Sequence, residues 1–155
     1  MKKTAIVTGG SRGIGLAVAK QLARDGYDIA VFATRDPQAC RENLKAIENE
    51  GARVLYVQGN IGVVADRARL VNETVKTFGA VHVLVNNAGI AQQKLFSDIT
   101  EADWDRMFDI DVKGTFFCCQ CVLPAMIREK RGKIVNISSV WGMAGASCEV
   151  HYSAA

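Results

Sequence analysis

Short runs that are apolar throughout alternate along this chain with longer stretches whose apolar residues recur every three or four positions. Residues 4–9, TAIVTG, are a β-branched run closed by glycine. Residues 15–26, GLAVAKQLARDG, follow it, with Ile14, Val18 and Leu22 at helical spacing. DIAVFAT (28–34) predicts a second strand. DPQACRENLKAIENEG (36–51) predicts a second helix, with Pro37 suited to its first turn and Gly51 to its end. RVLYVQG (53–59) and VHVLVNNAG (81–89) are further strands, separated by a helix over roughly 63–79. A long helix is expected over 101–130, and GKIVNISS (132–139) is the fifth strand. Segments such as AIV and VLV carry no polar alternation, as in strands covered on both faces. Parallel strands need crossover helices, so the pattern predicts an open, doubly wound α/β sheet.

Composition narrows the picture. The 155 residues suffice for one domain with a real core. Hydrophobic residues make up 49% and charged residues 23%, ordinary for a globular chain. The net charge of +3 is scattered and forms no basic stripe, which argues against nucleic acid as a partner. No apolar run approaches the roughly 20 residues that a membrane span needs. MKKTAIVTGG opens with two lysines, as a signal peptide does, but glycines cut its apolar stretch short. A cytoplasmic protein is expected. Cys118, Cys119 and Cys121 crowd into FFCCQCVL, while Cys40 and Cys148 stand alone. The spacing fits no zinc site and no histidine is near, so these cysteines are expected to pack as small apolar residues, with no bound metal.

The turn after the first strand reads TGGSRGIG. Its glycines, Gly9, Gly13 and Gly15, permit a tight turn and close approach of the backbone to a ligand. Free amides and the helix dipole at such a turn favour a pyrophosphate.

This loop resembles the cofactor loop of the short-chain dehydrogenases/reductases. NNAG at 86–89 is similar to that family's motif after the fourth strand. The serine ending ISS, Ser139, and Tyr152 thirteen residues on match its catalytic pair. The resemblance runs from Thr4 to Ala155. Within the family, TGGSRGIG and ISSVWGMAGASCEVHYSAA are most similar to bacterial β-ketoacyl-[acyl-carrier-protein] reductases. The resemblance implies a single Rossmann-type dinucleotide-binding domain over 1–155, with strands ordered 3-2-1-4-5 and the C-terminal part of the family fold missing. The fifth strand would then form an open, apolar edge. It also implies an NADPH-dependent reduction of a ketone to a secondary alcohol, on a β-ketoacyl thioester carried by acyl carrier protein in fatty acid synthesis. The complete enzyme would be a homotetramer or dimer. A reductase for another carbonyl (a modified-protein ketone, a sugar or a steroid) and a non-catalytic dinucleotide-binding module are the alternatives.

Carried over residue by residue, the resemblance assigns Gly9, Ser11, Arg12, Gly13, Ile14 and Gly15 to the coenzyme phosphates. Asn60 and Ile61 fall at the adenine, and Asn87, Ala88 and Gly89 beside the ribose. Where NAD-binding members carry an acid after the second strand, this chain has Ala33, followed by Thr34 and Arg35. Two guanidiniums and a hydroxyl suit the 2′-phosphate of NADP(H). Asp36 is the one acid nearby.

Tyr152 is implied as the proton donor, which also contacts the coenzyme, and Ser139 as its partner, with a flexible GMAGAS segment between them. An ordinary phenol has a pKa of about 10. The family lowers it with a lysine four residues later, a position just past Ala155. The 155 residues alone are therefore expected to bind NADP(H) weakly and to turn over ketones negligibly. Asp111 stands where the family has an asparagine in its proton relay. It should share a helical face with Trp104, Phe108, Thr115, Cys119 and Met126, be partly buried, and be tolerated through a neighbouring hydrogen-bond donor. Arg128, Lys130, Arg131 and Lys133 form a basic cluster suited to an acidic carrier protein.

Overall fold

A computed structural model describes residues 2–155. Five parallel strands, β1 (Lys3–Thr8), β2 (Tyr27–Ala33), β3 (Val54–Gln58), β4 (Val83–Asn86) and β5 (Lys133–Asn136), lie in the order β3-β2-β1-β4-β5. This is the expected doubly wound, Rossmann-type sheet, present in part. The register sets Ile6 beside Ala30 on one flank and beside Leu84 on the other, with Leu84 beside Ile134.

Successive side chains of a strand point to opposite faces, and the two faces build two cores. Ile6, Ala30, Phe32, Val57 and Leu84 pack with Leu70 and Phe78 of α3 (Val64–Phe78) and with Cys118, Val122 and Met126 of α5 (Thr115–Arg128). Ala5, Val7, Ile29, Val31, Val83 and Val85 pack with Ala19 and Ala23 of α1 (Gly13–Arg24) and Ile47 of α2 (Pro37–Glu48). β1 and β4 are thus buried on both sides, whereas Lys133, Val135 and Asn136 of the outermost strand β5 are exposed.

The long helix departs from expectation. Between α4 (Glu101–Met107) and α5 the backbone widens into a π-helix, Phe108–Gly114. Such a segment carries an extra residue per turn and rotates everything beyond it. The inward positions become Met107, Gly114, Cys118, Val122 and Met126, so of the face read from the sequence only Met126 is fully buried. Trp104 and Phe108 instead stack on each other with centroids 4.5 Å apart. Gly114 lets the widened turn sit against Ile61, whose Cγ2 would lie 2.8 Å from a Cβ added there. By length and composition alone Glu101–Arg128 could also cross a membrane, with a mean hydropathy of 1.4 that the run-length reading did not foresee. In the fold it packs against α3 and β4. The segment expected as a flexible loop before Tyr152 contains a helical turn, α6 (Trp141–Ala144), and Tyr152 lies in a second, α7 (Val150–Ala154).

Candidate functional site

The carboxyl ends of β1, β2, β3 and β4 open onto one cleft of about 940 Å³. Such a crevice lies where strand order reverses, between β1 and β4. Gly9 turns with φ +66, a conformation costly for any side chain. Its amide donates to Phe32 O at 2.7 Å, which fastens the loop to the end of β2. Gly15 packs inward: an added Cβ would strike Gly9 O and lie 2.5 Å from Asn87 Nδ2. Arg12 stands at the N-cap of α1 with extended backbone, and among the described residues no side chain caps the helix. The first intrahelical bond is made by the Leu16 amide to Arg12 O. The amides of Gly13, Ile14 and Gly15 are left at the cleft, with the positive end of the helix dipole behind them.

Thr8, which the sequence reading passed over, joins this loop to the next. Its hydroxyl accepts from the amides of Asn87 and Ala88, both at 3.0 Å, and donates to Val85 O at 3.4 Å. The Asn87 side chain returns the link, with Nδ2 donating to Thr8 O at 3.0 Å and Gly9 O at 3.4 Å. A polar residue closing an otherwise apolar buried strand is the signal that would have singled out Thr8.

At the far end of the cleft are Ala33, Thr34 and Arg35. Neither Arg12 nor Arg35 forms an ion pair among the described residues. Asp36, the nearby acid, is used elsewhere: it caps α2, accepting from the Gln38 amide at 2.8 Å, and does not line the cleft. Asn60 lines it too, its Oδ1 accepting from the Gly62 amide, while Ile61 is buried and its carbonyl accepts from Arg67 at 2.6 Å. Ala102, Asp105, Arg106 and Asp109 supply a further wall. An alanine and three charged residues spaced as on any solvated helix face, they gave no sequence signal.

Every residue predicted to bind the coenzyme lines this cleft except Tyr152. That residue is half-buried in α7, and its hydroxyl makes no hydrogen bond among the described residues. Ser139 follows β5, outside the cleft lining; its Oγ accepts from the Trp141 amide at 3.2 Å, and no hydrogen bond joins it to Tyr152. Beside Tyr152, the buried His151 holds α7 in place. Gln92 Nε2 donates to Asp103, so Gln92 Oε1 must accept from His151 Nε2–H, 2.8 Å away. Lys94 and Thr100 complete this network and hold the Asp103 carboxyl well below the usual range.

Asp111 lies on the π-helix. Its Oδ1 accepts from the Ile90 amide at 2.9 Å, and its carboxyl faces Gly89. Burial pushes its pKa up to about 6, against the opposing pull of the Ile90 bond. Among the thiols, Cys118 is pushed up to about 12, chiefly by burial, and Cys119 Sγ accepts from Asn86 Nδ2. Among the described residues no three His, Cys, Asp or Glu side chains gather as metal ligands would.

The arrangement is chemically that of a dinucleotide cradle: uncapped amides for a pyrophosphate, guanidiniums at one end, and a carboxamide-braced floor. The chain is 38% identical over 154 residues to the 3-oxoacyl-[acyl-carrier-protein] reductases FabG of Staphylococcus epidermidis and Staphylococcus aureus. It is 36% identical over 153 residues to the 3-oxoacyl-[acyl-carrier-protein] reductase of a Synechocystis species. These alignments take in 99% of this chain but only 63%, 63% and 62% of the relatives, so the chain spans under two thirds of their length. A crystal structure of a protein described as a short-chain alcohol dehydrogenase from Sinorhizobium meliloti superposes with a TM-score of 0.93 at 34% identity, over 98% of this chain and 60% of that one. A family model, short chain dehydrogenase, matches residues 3–155. From its cradle to its sheet order, this chain belongs to the short-chain dehydrogenase family.

Proposed function

We propose that this chain forms the coenzyme-binding part of a cytoplasmic reductase that uses NADPH to reduce the ketone of a β-ketoacyl thioester on acyl carrier protein. The observation that carries the coenzyme choice is the end of β2. Arg12, Thr34 and Arg35 border that end of the cleft with no carboxylate among them, Asp105 and Asp109 standing on the wall from α4 and the π-helix, and Asp36 is taken up by the α2 cap. A carboxylate there would accept from a ribose 2′-hydroxyl; two guanidiniums favour a 2′-phosphate. The amides of Gly13, Ile14 and Gly15 would hold the pyrophosphate, and Asn60, Ile61, Asn87, Ala88 and Gly89 the nucleosides. Bound in this way, the coenzyme supplies the hydride.

On this reading the chain's own groups handle the proton. Charge developing on the ketone oxygen needs a donor and a hydrogen-bond partner. Ser139 Oγ already accepts from the Trp141 amide, so its O–H is free to donate to that oxygen. Tyr152 is the proton donor, on a helical turn braced by His151. Asp111, fixed to the Ile90 amide, holds the asparagine's place in the relay.

The substrate reading rests on the named relatives and on a surface. Leu123, Met126, Ile127, Gly132 and Ile134 line a shallow apolar groove edged by Lys130 and Arg131, with Arg128 and Lys133 exposed nearby. An acidic carrier domain fits such a rim. The exposed Phe116, nearer the start of α5 than this groove, supports assembly into a dimer or tetramer. The test is an NADPH-oxidation assay on the whole protein with acetoacetyl groups on carrier protein and on a small thiol. Arg128→Glu with Arg131→Glu should raise KM for the carrier-bound substrate alone. An equal rise for both substrates removes the docking role, and no turnover of either removes the substrate reading.

A further inference from the structure

The backbone that presents Thr34 and Arg35 to the cleft is held carbonyl by carbonyl from β3. Ala33 O accepts from the Gly59 amide at 2.9 Å. Thr34 O accepts from Gln58 Nε2 at 3.3 Å. Arg35 O accepts from the Tyr56 hydroxyl at 2.5 Å, the shortest of the three. One residue further on, Asp36 is fixed by the α2 cap. Arg35 is therefore pinned on both sides of its own Cα, although its side chain is exposed and makes no ion pair among the described residues.

Tyr56 is not itself a wall of the cleft. Its ring packs on the core beneath α1 and α2. Its oxygen faces the Cys40 thiol at 3.7 Å and Ala33 O at 3.4 Å, besides Arg35 O. Burial, with Cys40 adding to it, drives the phenol pKa upward, so the hydroxyl keeps its proton and remains a donor. A phenylalanine here would fill the same core and leave the Arg35 carbonyl unheld.

We infer that Tyr56 is a positioning residue for coenzyme selection: its hydroxyl, by fixing the Arg35 carbonyl, aims the Arg35 guanidinium at the 2′-phosphate. This rests on the reading above that the cleft takes a 2′-phosphorylated dinucleotide. An arginine on mobile backbone loses backbone as well as side-chain freedom on binding; one whose carbonyl is already held loses less. The gain therefore falls on the 2′-phosphate alone and is absent for a coenzyme that lacks it.

The test is a double-mutant cycle on the full chain, with dissociation constants for NADPH and NADH measured by coenzyme fluorescence. Tyr56→Phe should weaken NADPH about fivefold, the usual weight of one net hydrogen bond, and leave NADH unchanged. In an Arg35→Ala background the same substitution should change neither, because Tyr56 acts through Arg35. An equal loss for both coenzymes, including complete loss through misfolding, makes Tyr56 merely structural and overturns the inference. So does an effect that persists without Arg35, or unaltered NADPH affinity in Tyr56→Phe. If the parent binds NADPH no better than NADH, the coenzyme reading fails and takes this inference with it. If the parent prefers NADPH and Tyr56→Phe keeps the full preference, this inference alone fails.

Discussion

Replacing Asp111 with asparagine should stabilise the protein at high pH and leave it unchanged in acid. The carboxyl is part-buried on the π-helix; among the described residues its one hydrogen-bond donor is the Ile90 amide, and no charged side chain offsets its desolvation. Its pKa is accordingly moved from 3.8 to about 6. Because the folded value lies above the unfolded one, the fold is favoured while the group stays protonated. That advantage is complete below pH 3.8 and is lost as pH rises through about 6. For a fully buried group the move corresponds to ~3 kcal/mol, and partial solvent screening cuts it to roughly half, ~1.5 kcal/mol. Asparagine can accept the same Ile90 bond through its carbonyl and carries no charge to desolvate. Urea denaturation of the parent and Asp111→Asn at pH 8 should differ by about that amount, and the thermal midpoint in a separate melt should rise by roughly 3–6 °C for a chain of this size. At pH 4, just above 3.8, the difference should shrink to a small fraction of that amount. A difference independent of pH, or a variant less stable at pH 8, would show that the carboxylate is paired by something other than Ile90 and that burial does not govern it.

Two further substitutions probe the cradle. Thr8→Val leaves the amides of Asn87 and Ala88 without their acceptor and should cost about 2–4 kcal/mol in urea denaturation; Thr8→Ser keeps the oxygen and should recover most of it. Gly15→Ala drives a methyl against Gly9 O and Asn87 Nδ2, an overpacking that should weaken NADPH by roughly tenfold or more in a titration.

The sheet was legible because β1, β2 and β4 are buried on both faces, and unbroken apolar runs have few other uses. The glycine loop was legible because Gly9 and Gly15 answer to steric demands that no other residue meets. What stayed hidden depended on partners distant in sequence. Nothing local marks Thr8 as the acceptor for two amides 79 and 80 positions away; the Asp36 cap, by contrast, has its partner two residues on and a local signal in Pro37. The π-helix was invisible for a related reason. Its extra residue goes with a close approach of Gly114 to Ile61, distant in sequence, and a fixed helical period cannot register it, so the face containing Trp104 and Thr115 was misplaced.

The shared hydroxyl of Thr8 has a kinetic corollary. Two loops from separate strands, hinged to one oxygen, form a single rigid jaw. An arriving nucleotide meets a shape already made, with no slow rearrangement between encounter and capture. Its association should therefore follow one exponential, at a rate proportional to its concentration.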